Sequence, residues 1–176
     1  MEITTLGGGC FWCIEAVFAR LNGISKAISG YAGGHTKDPT YQQICTGKTG
    51  HAEGVQITFI PEILSFREIL NIFFVLHDPT TLNRQGADVG TQYRSVIFYH
   101  TETQRATADQ VIREMDAAKM FDGPIVTEVT SLDRFYPAEE YHQRYYERNS
   151  GMGYCRAVIA PKIDKLHQLF YEKTRK

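Results

Sequence analysis

The sequence predicts an α+β fold: a two-layer α/β sandwich with a ferredoxin-like (split βαβ) core and a long irregular C-terminal arm. Three observations carry that prediction. Apolar side chains switch between period two and period 3.6 as far as Val129, and the segments so marked follow the order βαβ, βαβ, αβ. Beyond Leu132 the chain turns rich in Tyr, Glu and Arg and loses its period. With 176 residues, and roughly 100 to 200 residues per domain, the chain reads as one domain, 1–176, with 133–176 as the arm.

The first strand is Ile3 to Leu6, and Gly7-Gly8-Gly9 leads into Phe11, Ile14, Phe18 and Leu21, spaced as one helical face that ends at Asn22-Gly23. Ile24 to Tyr31 and Val55 to Ile60 are β-rich, with Val55, Ile57 and Phe59 alternating as a half-buried strand requires. The long polar loop between them is of the kind that usually carries function. Ser65-Phe66-Arg67-Glu68 is a capping box with Leu64 and Ile69 as its hydrophobic staple, so a helix runs to about Leu76 and Asp78-Pro79 stops it. Ser95 to Tyr99 is the next strand, Thr101 caps a helix reaching Met120, and Gly123-Pro124 precedes a strand from Ile125 to Val129. In the arm, Ser150-Gly151-Met152-Gly153 reads as mobile, ahead of an amphipathic segment from Ile163 to Tyr171.

Hydrophobic residues make up 43% and charged residues 22%, which excludes disorder and fibrous architectures. A net charge of -1 argues against nucleic acid, whose phosphates select a basic excess. No basic stretch followed by an apolar run opens the chain, and the apolar patch from Ile69 to Leu76 is far short of a bilayer span, so neither export nor a membrane is expected. Four cysteines are too sparse for a disulfide scaffold, and with no export signal expected a reducing compartment, the cytoplasm, is expected, with thiol chemistry or burial to account for them.

Gly8-Gly9-Cys10-Phe11-Trp12-Cys13 sets a thiol at a strand-to-helix turn, where unpaired N–H groups and the positive helix end favour a thiolate. Burial of Cys10 as a small apolar residue is the competing reading. Phe11 and Trp12 suit a substrate bearing a small apolar group, or are simply core. Cys10 and Cys13 also have the spacing of thioredoxin-like redox sites, whereas Cys45 and Cys155 stand singly, so a zinc site and any other metal are not expected. Glu53, at the entrance to the Val55 strand, becomes a general acid if burial beside aromatic rings raises its pKa. Tyr41 lies in the same long loop; loop aspartates mostly organise turns, but Asp88, with Tyr93, lies just ahead of the Ser95 strand, where side chains can face the same cleft.

Gly-Cys-Phe-Trp at 9–12, Gly-His-Ala-Glu at 50–53, Asp-x-Gly-x-Gln-Tyr-Arg-Ser from Asp88, and Ala-Glu-Glu-Tyr-His-Gln at 138–143 together resemble the peptide methionine sulfoxide reductases of the A type. The resemblance spans nearly the whole chain. It implies an α+β two-layer sandwich that reduces the S epimer of methionine sulfoxide, free or in oxidised proteins, as a repair enzyme without a bound cofactor. It assigns Cys10 as nucleophile, Phe11 and Trp12 as the methyl-binding wall, Glu53 as proton donor, and Tyr41, Asp88 and Tyr93 as holders of the sulfoxide oxygen. Gly151-Met152-Gly153-Tyr154-Cys155 resembles the segment with a recycling thiol, and no cysteine follows Cys155, so one recycling step is implied.

The mechanism expected on that basis oxidises Cys10 to a sulfenic acid, closes a Cys10–Cys155 disulfide, and ends with reduction by an external dithiol, thioredoxin. A monomer is expected. The alternatives are a thioredoxin-like disulfide oxidoreductase, which depends on Cys13 and not Glu53, and a non-catalytic binding module, which tolerates loss of Cys10.

Overall fold

The computed structural model describes residues 1–176 as a mixed α/β fold around a six-stranded sheet. Strand β1 (Glu2–Gly7) leads into α1 (Phe11–Phe18), and β2 (Ile24–Ala32) returns beside β3 (Ala52–Phe59). Helix α3 (Phe66–Leu76), the hairpin β4 (Arg84–Gln85) and β5 (Asp88–Val89), β6 (Val96–Tyr99) and α4 (Glu102–Ala117) follow. The sheet order is β7-β6-β1-β3-β2-β8, where β7 is Glu128–Ser131 and β8 is Phe135–Pro137. β3 runs antiparallel to both β1 and β2, β6 is antiparallel to β1, β8 is antiparallel to β2, and β7 is parallel to β6.

Local chemistry explains the start of α3 and the burial pattern of β3. The Ser65 hydroxyl accepts from the Glu68 N–H while the Glu68 carboxylate accepts from the Ser65 N–H, so the expected capping box starts α3. Alternation in β3 buries Val55, Ile57 and Phe59 completely, each worth about 1.5–3 kcal/mol of apolar burial. Helices α1 and α4 rest on the sheet, and α6 (Ala160–Phe170) packs on α1 and α3. One core cluster joins them and includes Cys10, Cys13 and Cys155.

The structure departs from the sequence expectations in four places. The long loop after β2 contains a short helix, α2 (Tyr41–Cys45), started by a second capping box between Thr40 and Gln43. The strand expected at Ile125 begins only at Glu128, because the Ile125 N–H is taken by the Asp116 carboxylate and the Val126 N–H by the Pro79 carbonyl. α4 stops at Ala117, short of Met120, with Lys119 turned into the left-handed region at φ 50. The largest departure is the segment 133–176. Instead of an irregular arm, it supplies β8, α5 (Tyr145–Asn149), a π-helical turn at Cys155–Ile159 and α6, and it buries Cys155, Ile159 and Leu166 completely. Its order comes from the rest of the chain: β8 pairs with β2, and the Gln143 side chain bonds both the N–H and the carbonyl of Ser29. No helix is long and apolar enough to cross a membrane.

Candidate active site

The site forms where β1 hands over to α1. Gly7 lies so close to β3 that a Cβ there would sit 2.8 Å from the Glu53 carbonyl oxygen. Gly9 adopts φ 90, and a Cβ on it would meet the Gln85 side chain at 2.6 Å. Only glycine permits this close turn. It delivers Cys10 to the N-cap of α1 with its side chain free of any capping bond. β3 then brings Glu53, which pairs in register with Tyr31, to the same helix end, where its Oε1 accepts the Phe11 N–H at 3.2 Å.

Burial governs the titration of these groups. Glu53 is 2% exposed, and loss of hydration pushes its pKa up to about 8 against the opposing Phe11 N–H, with the Asp88 and Cys13 charges adding to the rise. The carboxyl is therefore mostly protonated at neutral pH, as a general acid must be. Burial also pushes the Cys10 thiol well up, reinforced by its hydrogen bond to Cys13 and by the Glu53 charge. Cys13 moves down, first through that hydrogen bond from Cys10, then through the Lys162 ammonium and the Tyr154 hydroxyl. The helix end alone leads to a thiolate at Cys10; in the fold, burial drives Cys10 up while Cys13 moves the other way.

Other expected residues gather around this centre. Tyr41 opens α2 and donates its backbone N–H to Glu139 Oε2 at 2.9 Å. Burial, the Glu53 charge and other nearby charges push the phenols of Tyr41 and Tyr93 up, so both remain hydrogen-bond donors. Asp88 Oδ2 accepts from the Tyr154 hydroxyl at 2.9 Å, and that hydroxyl lies 3.8 Å from Cys13 Sγ. Phe11 is fully buried, while Trp12 remains partly open and stacks on Tyr145 with ring centres 3.7 Å apart. Cys155 lies buried under the site, its thiol pushed up by desolvation and by the Cys13 charge. Cys45 is exposed.

Sequence reasoning gave no part to Glu139, His142, Tyr145 or Lys162. His142 accepts the Trp12 indole N–H at 3.0 Å, and Lys162 donates to the Leu76 carbonyl at 2.7 Å while its charge reaches Cys13. The stretch 138–143 flagged two of them, though no local pattern reveals their roles. No three His, Cys, Asp or Glu side chains converge as a metal-binding group.

The peptide methionine sulfoxide reductase family model matches residues 2–174. The chain belongs to that family. It is 54% identical over 170 residues to the peptide methionine sulfoxide reductase MsrA of Chromobacterium violaceum, covering 97% of each chain. Against the MsrA of Saccharolobus solfataricus it is 54% identical over 175 residues, covering 99% of this chain and 98% of that one. Among solved structures it resembles reduced Mxr1 of Saccharomyces cerevisiae, with a TM-score of 0.81 and 36% identity over 88% of each chain. Mxr1 in complex with Trx2 also matches, with a TM-score of 0.58 and 27% identity over 82% of this chain and 84% of that chain. The reductase is thus an oxidoreductase acting on methionine sulfoxide.

Proposed function

We propose that Cys10 attacks the sulfur of methionine sulfoxide while Glu53 protonates its oxygen. The observation that carries this reading is the buried Glu53 carboxyl, bonded to the Phe11 N–H immediately after Cys10 and held protonated by its surroundings. A sulfoxide sulfur is electrophilic, but its oxygen leaves only once protonated, so a thiol and an acid are needed together. In this proposal the Cys10 proton passes to a Cys13 thiolate, whose formation the nearby Lys162 charge and Tyr154 hydroxyl favour. The Cys10–substrate sulfur bond then breaks as the protonated oxygen passes to Cys10, so the substrate sulfur gains two electrons and departs as methionine while the Cys10 sulfur loses two and remains as a sulfenic acid.

Trp12 and Phe11 form the methyl-binding wall, and Tyr41, Asp88 and Tyr93 hold the oxygen. With the sulfur facing Cys10, methyl and oxygen directions are both fixed around a tetrahedral centre, so one hand of sulfoxide fits, which the family resemblance makes the S epimer. Substrates are free methionine sulfoxide and oxidised proteins, whose apolar methionines are thereby restored.

The Cys155 thiol condenses with the sulfenic acid, releasing water and forming a Cys10–Cys155 disulfide, which thioredoxin reduces by exchange. The exposed Gly151–Gly153 turn just before Cys155 and the Trx2 complex of the yeast relative support this step. The same proposal makes the protein a cytoplasmic monomer without a bound cofactor, its four cysteines free between turnovers. In the fold, β6-β1-β3-β2 is read as the split βαβ core, since β1 and β2 run parallel on either side of antiparallel β3.

The test is consumption of methionine sulfoxide with dithiothreitol by wild type and by Cys10→Ser. Activity confined to wild type is expected. Retained turnover by a folded Cys10→Ser variant would refute the assignment of the nucleophile.

A further inference from the structure

The stretch 138–143 holds one imidazole at the centre of the aromatic wall. His142 is fully buried on the short 3-10 turn Glu140–His142. Its ring centre lies 5.1 Å from that of Phe11, 5.7 Å from Trp12 and 4.3 Å from Tyr41. The Trp12 indole N–H, which can only donate, points to His142 Nδ1 at 3.0 Å. Nδ1 is therefore bare and Nε2 carries the ring proton, yet Nε2 is buried without a partner. An unpaired buried donor costs free energy and calls for a reason.

The neighbours of His142 supply one. Glu139 Oε1 accepts from the Tyr31 hydroxyl at 2.9 Å and its Oε2 from the Tyr41 N–H at 2.9 Å. Gln143 accepts from the Ser29 N–H at 3.0 Å and donates to the Ser29 carbonyl at 2.9 Å. Both flanks of the imidazole are thus pinned to β2 and to the start of α2, so its Nδ1 is a fixed point. Tyr145 stacks on the indole with planes 7° apart, which fixes the ring plane but leaves a half-turn rotation about the Cβ–Cγ bond. A single hydrogen bond at the indole edge removes that rotation.

We propose that His142 is a positioning residue: it holds the Trp12 ring in one orientation and so sets which sulfur substituent the pocket accepts. Glu139 and Gln143 act as its anchors, and Glu139 aligns Tyr41 from the same turn. The selectivity part rests on the reading of Trp12 as the methyl wall; the orientation part does not.

Trp12 is the only tryptophan in the chain, so its indole gives one ¹H–¹⁵N signal. His142→Phe keeps a planar ring and removes the acceptor, while His142→Asn places an amide oxygen near the lost Nδ1. We expect His142→Phe to shift the indole signal and to cut the preference for methionine sulfoxide over ethionine sulfoxide by about tenfold, through kcat more than KM. His142→Asn should restore most of both. An unmoved indole signal with unchanged preference in His142→Phe overturns the proposal. If Trp12→Ala leaves the preference intact, the wall reading fails separately, and the indole signal still decides the orientation claim. Should His142→Phe not fold, the imidazole ¹⁵N shifts of wild type decide it: a bare Nδ1 supports the proposal, and a protonated Nδ1 refutes it.

Discussion

Glu53→Gln should make the enzyme inactive and at the same time no less stable. The amide keeps an oxygen for the Phe11 N–H but has no acidic proton, and loss of general acid catalysis typically costs about 10² to 10⁴-fold. The stability effect follows from the pKa. In the unfolded chain Glu53 ionises near its ordinary value of 4.5, whereas in the fold it holds its proton to about 8. A raised carboxyl means the native state binds the extra proton, so the cost is absent below the unfolded value and grows with pH until about 8. At pH 7, two and a half pH units at about 1.4 kcal/mol each come to roughly 3–4 kcal/mol. Gln escapes that cost and loses part of the gain wherever its NH₂ lacks a partner, at about 1–3 kcal/mol. Urea unfolding of both proteins from pH 5 to pH 8 should show the variant gaining on wild type as pH rises. Initial rates with dithiothreitol on methionine sulfoxide should show its activity lost. A stability gap that does not change with pH, or turnover within a factor of two of wild type, refutes the assignment of Glu53 as a buried acid.

Cys10→Ser, with a nearly isosteric but weakly nucleophilic hydroxyl, should keep the circular dichroism of the fold and lose reduction in single-turnover assays. Cys155→Ser should still reduce about one equivalent of sulfoxide and then stall when thioredoxin is the reductant; normal cycling would remove Cys155 from the pathway. Trp12→Ala should lower turnover and blur the choice between methionine and ethionine sulfoxides, and unchanged kinetics with both would leave Trp12 a packing residue. Brief iodoacetamide treatment at pH 7, mapped by mass spectrometry, should label exposed Cys45 before Cys10, and preferential labelling of Cys10 would contradict its suppression by burial.

What the sequence revealed depended on distance along the chain. The Ser65 capping box, the alternation in β3 and the glycine turn before Cys10 are each written within a few residues, and each is found in the fold. Cys10 and Glu53 lie where local pattern placed them, at a helix start and in a strand, for the same reason. The missed features depend on partners far away. β7 starts at Glu128 because Val96 pairs with it, and the C-terminal segment is ordered by bonds from Gln143 to Ser29, 114 residues apart. The Trp12–His142 bond spans 130 residues and the Tyr154–Asp88 bond 66. No period or spacing encodes such contacts.

The thiol at the helix start shows how two correct local arguments are ranked by magnitude. A helix N-terminus stabilises a nearby anion by about 0.3–1 kcal/mol at the surface and up to about 2 kcal/mol when partly buried. Full burial shifts a titrating group by up to about 3–5 pKa units, a larger quantity of opposite sign for a thiol. Cys10 is 8% exposed, so burial wins and the thiol rests protonated, which also shields it from adventitious oxidants. The Cys10 hydrogen bond, the Lys162 ammonium and the Tyr154 hydroxyl all draw neighbouring Cys13 downward. In the proposed mechanism, reaction then needs two proton moves, both inside the site: from Cys10 to Cys13, and from Glu53 to the sulfoxide oxygen. Raising the pH does not help as it would for a free thiol. Above about 8 Glu53 is ionised, the acid is lost, and its negative charge beside Cys10 makes the thiolate harder to form. The chemical step is therefore fastest below the Glu53 value, where nucleophile and acid each hold the proton they must part with.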